Sequence, residues 1–173
     1  MAALLGAEQR GLTGTSPSDG QPWSEWLEKT LLDARDGLLA HRDSALIVAG
    51  NRPTADALPG VEAELSALTA IGISPADALL FTLASGYFLI GGVLERQLTT
   101  SRESSAAEAE VFEHMQDTSR HPTLAAAVAE LTSGPPPDDG VAALDDAVFR
   151  FGLGLMIDGL RVRLARTEDP LEA

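Results

Sequence analysis

The chain has 173 residues, 45 % of them hydrophobic and 5 % aromatic, and carries a net charge of −14. That apolar content excludes a disordered chain, and the length suffices for one domain with a real core. One lysine, Lys29, and eleven scattered arginines exclude a phosphate-gripping basic surface, and the lack of cysteine excludes disulfides and thiolate metal sites.

Dense Leu and Ala with few β-branched runs predict an all-α fold. Met1–Gln9 reads as a short helical stub; without a basic start or a long apolar region it is no secretory leader, which predicts a cytoplasmic protein. Gly11–Pro22 is dense in turn formers and reads as a loop. Apolar residues at Trp23, Trp26, Leu27, Leu31, Ala34 and Leu38 then predict an amphipathic helix over 22–40, with Glu25, Glu28, Lys29, Asp33 and Asp36 on its wet face. Asp43 is positioned to cap a short helix, Ser44–Ala49, which Gly50 ends. Asn51-Arg52-Pro53 is a turn, because the residue before proline avoids the helical region. A further helix begins within Thr54–Leu58, runs through Val61, Leu65 and Leu68 to Ala70, and stops at Gly72.

Ser74-Pro75-Ala76-Asp77 supplies a cap, a first-turn proline and an early acid for a central helix, Pro75–Gln97. Between Asp77 and Glu95 it has no charged side chain, so most of its circumference must be covered by its own domain, a second copy or lipid. Its length is at the low edge of a bilayer span, its small and polar residues are many, and no basic cluster flanks it. A buried helix of a soluble protein, with no membrane partner, is the reading adopted. Residues 98–121 form a polar, mobile-looking connection with one helix around Ala106–Met115, followed by a short helix, Pro122–Leu131. Ser133–Gly140 is a linker, and Val141–Arg166 is a long final helix.

That helix bears two apolar stripes, Leu144-Val148-Phe151-Leu155-Val162 and Phe149-Leu153-Met156-Leu160-Leu164, and carries Gly152, Gly154 and Gly159. Each interior glycine costs about 1 kcal/mol. A homodimer through a four-helix interface, two helices from each copy, accounts for both features; a monomeric bundle is the alternative.

Several blocks together resemble the C-terminal domain of the tetracycline repressor (TetR) class of bacterial regulators. They are Trp23-x-x-Trp26-Leu27, His41-Arg42-Asp43, Gly50-Asn51-Arg52-Pro53, Gly72-Ile73-Ser74, Gly91-x-Val93-Leu94-Glu95-x-Gln97 and Phe151-Gly152-Leu153. The resemblance covers nearly the whole chain and implies one domain, 1–173, that dimerises and holds a small effector, with 1–10 a remnant of the helix linking it to a helix-turn-helix. That DNA-reading head has no counterpart here, so no direct DNA contact is expected. The resemblance places a family metal-ligating histidine on Val48, which cannot ligate, and the family's water-mediated metal acid on Glu95. Ring-holding side chains fall on Thr30 and Ala34, a polar contact on Glu64, histidines on Leu12 and Tyr87, and family counterparts on Arg52 and Pro53. The scaffold is kept and most tetracycline contacts are lost, which implies a different, hydrophobic ligand and no metal or cofactor.

Under the resemblance Thr30, Ala34, Val48, Leu83, Tyr87 and Ile90 line a cavity, with Asn51, Arg52, Pro53, Glu64 and Glu95 as its polar or turn contacts. By spacing alone the apolar members are ordinary core. Glu95 is either a pocket acid or a helix-end carboxylate paired with Arg96 or Arg52 and facing water. Glu64 lies either in the pocket or on the wet face marked by Glu62. Arg52 bonds either the ligand or a neighbouring carbonyl. His41 is structural, and His114 and His121 are solvated, so the three histidines make no metal site. Two functions fit. One is the effector-sensing and dimerisation domain of a regulator, in which a shift of the Asn51-Arg52-Pro53 turn passes through Met1–Gln9 to DNA-binding heads. The other is a headless relative acting as an enzyme or carrier for a hydrophobic natural product, with Glu95 and Tyr87 as candidate acid groups and orientation assisting a cyclisation.

Overall fold

The computed structural model of the chain describes residues 17, 20–49, 54–100, 106–133 and 140–168. They form seven α-helices and a single 3₁₀ turn, with no strand among the described residues. The helices are α1 (Trp23–Leu39), α2 (Ser44–Val48), α3 (Leu58–Ala70), α4 (Pro75–Thr100), α5 (Ala106–Met115), α6 (Pro122–Leu131) and α7 (Gly140–Glu168); the 3₁₀ turn is Ala55–Ala57. The stub at Met1–Gln9 and the Asn51-Arg52-Pro53 turn lie outside the described residues.

Helix α4 is the axis. It packs against α1, α2, α3 and α7, while α5 and α6 pack on each other. By length and composition α4 is apolar enough to cross a bilayer. Here its Ala78, Phe81, Leu89 and Val93 are buried with Leu27 and Leu31 of α1, Leu68 of α3 and Leu153 of α7, so one side of it is protein core.

Local sequence explains the ends of these helices. Helix α1 starts after Pro22, whose carbonyl accepts the N–H groups of Glu25 and Trp26 at 3.1 Å. Helix α3 ends in a Schellman motif: Ile73 N–H reaches the Leu68 carbonyl at 3.3 Å and Gly72 N–H the Thr69 carbonyl at 3.0 Å. Gly72 has φ 100°, which a side chain would strain, and Ile73 and Leu68 bury the accompanying apolar contact. Ser74 Oγ accepts Asp77 N–H at 3.1 Å and caps α4 as its sequence implies.

The short helix α2 departs from the expected cap. Asp43 makes no side-chain cap bond. Its backbone is left-handed at φ 59°, its carbonyl takes the Ile47 N–H at 3.1 Å, and its carboxylate turns to Arg42 at 3.6 Å. His41 acts through its main chain, its carbonyl accepting Gln97 Nε2 at 2.9 Å, which ties the α1–α2 turn to α4. Helix α4 also runs one turn beyond its expected end, to Thr100. Part of the polar connection is a built turn: Asp117 Oδ1 accepts the N–H groups of Ser119 at 2.9 Å and Arg120 at 3.2 Å. These hydrogen bonds, Ser119's hydroxyl first, hold the Asp117 carboxyl below its ordinary value.

Helices α4 and α7 lie antiparallel, their register set by two ion pairs and two phenylalanine rings. Arg163 pairs with Asp77 at 2.9 Å and Arg96 with Asp145 at 3.4 Å. Between these ends, Phe88 stacks on Phe149 at 4.8 Å, and each ring covers a glycine of the opposite helix, Gly152 and Gly92. Helix α1 joins them through Arg35, which is buried, bonds Asp145 and Asp146, and places its guanidinium 4.6 Å from the Phe149 ring centre.

A Cβ on Gly152 would stand 2.7 Å from the Phe88 ring, which the Phe149 stack prevents from retreating. Gly152→Ala is expected to cost a net 1–2 kcal/mol or so, lowering Tm by about 2–8 °C, despite its better helix propensity. At Gly37, where a Cβ meets nothing within 4 Å, the same exchange is expected to stabilise by up to about 1 kcal/mol. Thermal melts of the two variants followed by circular dichroism check both.

Candidate ligand-binding site

The described region holds two buried charged side chains, Arg35 and Glu64. Arg35 is neutralised by the carboxylates of α7. Glu64 sits on α3, facing α4, and is only 8 % exposed. Its Oε1 accepts the Thr82 hydroxyl at 2.9 Å, and it enters none of the ion pairs among the described residues. Burial pushes its carboxyl above the ordinary glutamate value, and the Thr82 hydrogen bond offsets part of that rise. Ser85, one turn on, is buried but satisfied by the Thr82 carbonyl at 3.0 Å.

Thr82 lies at the edge of the buried side of α4. Next to it round the helix, by about 60–100°, come Leu79, Ile90 and Leu83, while Tyr87 stands about 140° away, as far round as Glu95. Leu79 and Leu83 are exposed, Ile90 is half-buried, and Tyr87 is 75 % exposed. The buried carboxylate of α3 thus meets α4 at Thr82, about one turn or less along the helix from the exposed Leu79 and Leu83.

The other expected site residues divide. Ala34 is part of the core, and Val48 packs against it, half-buried. Thr30 is half-buried and spends its hydroxyl on the Trp26 carbonyl at 2.8 Å. Glu95 is exposed and forms no ion pair among the described residues. Thirteen residues separate it from Thr82, about 140° around the helix, so one chain does not bring Glu95 to Glu64. Tyr87 and Glu95 stand two turns apart, about 12 Å along the axis, and form no acid pair within one chain. Asn51, Arg52 and Pro53 lie outside the described residues. His41, His114 and His121 are exposed, and no group of three or more His, Asp or Glu suited to a metal occurs among the described residues.

Two features escape the sequence reading. Thr82 is hidden within the uncharged run, where its hydroxyl looks incidental. Arg35 falls between the apolar positions Ala34 and Leu38, a charged residue inside a buried stripe, and that position is the signal that could have flagged it.

A family model for the "Tetracyclin repressor-like, C-terminal domain" matches residues 16–164. The chain belongs to this family. It is 34 % identical over 161 residues to the tetracycline repressor protein class C of Escherichia coli, an alignment spanning 91 % of this chain and 67 % of the repressor. Against the class A repressor from transposon 1721 of Escherichia coli, identity is 32 %, spanning 87 % of this chain and 63 % of the relative. The chain therefore spans about two thirds of the length of these repressors. Among solved structures, a possible TetR family transcriptional regulator from Streptomyces coelicolor A3(2) matches with a TM-score of 0.67 and 25 % identity, covering 92 % of this chain and 73 % of that one. TetR class A in complex with 5a,6-anhydrotetracycline and magnesium matches with a TM-score of 0.57 and 27 % identity, covering 92 % and 74 %.

Because the folded Glu64 carboxyl holds its proton to higher pH than the unfolded chain does, its protonation favours folding. That contribution is full below the ordinary carboxylate value and is lost as pH rises through the raised folded value. Glu64→Gln, which keeps an oxygen for Thr82 and carries no charge, is therefore expected to raise Tm over the parent at pH 8. The gain should shrink toward zero near pH 4, read from paired melts across that range.

Proposed function

We propose that this chain is the effector-binding and dimerisation domain of a TetR-type transcriptional regulator, working in the cytoplasm on a hydrophobic ligand other than magnesium–tetracycline. The supporting observation is the distribution of apolar surface on α4 and α7. On α7 one stripe, with Phe149, Leu153 and Leu160, is buried in the chain's own core. The other, with Leu144, Val148, Phe151, Leu155 and Val162, is exposed, Phe151 at 71 %. A Cβ on Gly86, Gly91, Gly154 or Gly159 would meet nothing within 4 Å, so close-approach sites on both helices face outward, as a second copy would require.

The ligand part of the proposal rests on side-chain chemistry. Val48 offers no metal donor, Ala34 no ring contact, and Thr30's hydroxyl is already committed to its own helix. What remains is the apolar strip of Leu79, Leu83 and Ile90 beside Thr82, which bonds Glu64. Ligand binding acts on the equilibrium between two arrangements of the dimer to the extent that it prefers one of them.

Two measurements test this. Sedimentation of the full chain is expected to give a dimer, and Val148→Glu with Phe151→Glu is expected to give a folded monomer by putting four carboxylates into the shared interface. A parent chain that sediments as a monomer at high concentration overturns the dimer. Titration with tetracycline and magnesium is expected to show no binding at micromolar or tighter affinity, and saturation in that range overturns the assignment of a different ligand.

A further inference from the structure

A carboxylate removed from water is costly unless it is paired or protonated. Arg35 shows how this chain meets that cost when both partners are its own: two aspartates and an aromatic face enclose one guanidinium. Glu64 has a neutral hydroxyl alone among the described residues. The Thr82 bond engages Oε1 and orients the carboxylate, leaving Oε2 as an acceptor. Leu79, Leu83 and Ile90 supply apolar surface on the neighbouring arc of α4. A ligand anion would meet like charge here, on a chain whose net charge is already −14.

We propose that Glu64 anchors a protonated nitrogen, so that the effector is an amphipathic cation whose apolar body lies along the Leu79–Leu83–Ile90 strip of α4. This rests on the small-molecule-binding reading above and adds the ligand's charge to it. Thr82 is a positioning residue: its hydroxyl holds the carboxylate in the orientation that receives the ammonium. A charge-assisted hydrogen bond in a half-buried site discriminates strongly against a neutral analogue, because that analogue leaves the carboxylate unpaired.

The test compares two fluorescent probes on the full chain at neutral pH. Dansylcadaverine ends in a primary ammonium, and N-hexyl dansylamide carries a methyl group in its place. The expected result is at least about tenfold tighter binding of the ammonium probe. Glu64→Gln is expected to abolish that preference, and Thr82→Val to reduce it severalfold. Glu62→Gln, on the exposed side of the same helix, is expected to leave the preference unchanged, which separates a specific pair from general attraction to an acidic protein. Equal affinity for the two probes, or a preference that survives in folded Glu64→Gln, overturns the cation inference and leaves the binding-domain proposal standing. Binding of neither probe overturns the inference and counts against that proposal as well.

Discussion

The register of α4 against α7 is the constraint on which the rest of this molecule depends. Two ion pairs hold the ends of the contact and two phenylalanine rings fill glycine notches between them. A displacement of one helix along the other by a single turn would separate both ion pairs and drive Phe88 off Gly152. The middle of this contact is also where α1 is attached, because Arg35 lies over the ring of Phe149 while bonding the first turns of α7. Three helices that are far apart in sequence are thereby fixed to one another at a single aromatic residue. Packed contacts of this kind are discrete rather than continuously deformable.

Fixing α7 in that register decides which of its two apolar stripes faces the core. Phe149, Leu153, Ile157 and Leu160 turn inward, and Val148, Phe151 and Leu155 turn outward. Helix α4 is partitioned the same way. One arc carries Ala78, Phe81, Leu89 and Val93 into the core, Phe88 and Gly92 lie against α7, and Thr82 meets Glu64 of α3. These contacts account for the lack of charge on the packed arcs, none of which tolerates an unpaired ion; the arc with Leu80, Ala84 and Gly91 is equally uncharged but exposed in the single chain.

Much of this was legible in the sequence, because helix boundaries here are set by short-range chemistry. The Ser74–Asp77 cap, the Gly72 stop and the prolines at 22, 75 and 122 each act within a few residues, and each falls where the observed helices begin or end. Asp43 shows the limit of that reading. A capping residue type in a capping position adopts a left-handed backbone because the chain must turn sharply there, and its carboxylate goes to Arg42. The pairing of Arg35 with Asp145 and Asp146 spans some 110 residues, and that of Glu64 with Thr82 spans 18. No periodicity or local motif encodes such partners; they exist only once α1, α3, α4 and α7 are assembled. The resemblance to the repressors assigned Glu64 a place but not a state of burial, and burial is what gives the residue its chemistry.

The two buried charges invite a direct comparison. Each lies on a helix that packs against α4, and each would be unaffordable in isolation. Arg35 takes its charge partners from the fold, two aspartates of α7, although its buried Nε is left without a hydrogen-bond partner among the described residues. Glu64 is held on one oxygen by the Thr82 hydroxyl of α4, about one turn or less along that helix from the exposed Leu79 and Leu83. Burial pushes the Glu64 carboxyl above its ordinary value, so a proton meets part of the cost that the aspartates of α7 meet for Arg35. Under the proposal above, a bound cation would take that proton's place on a carboxyl that Thr82 already orients.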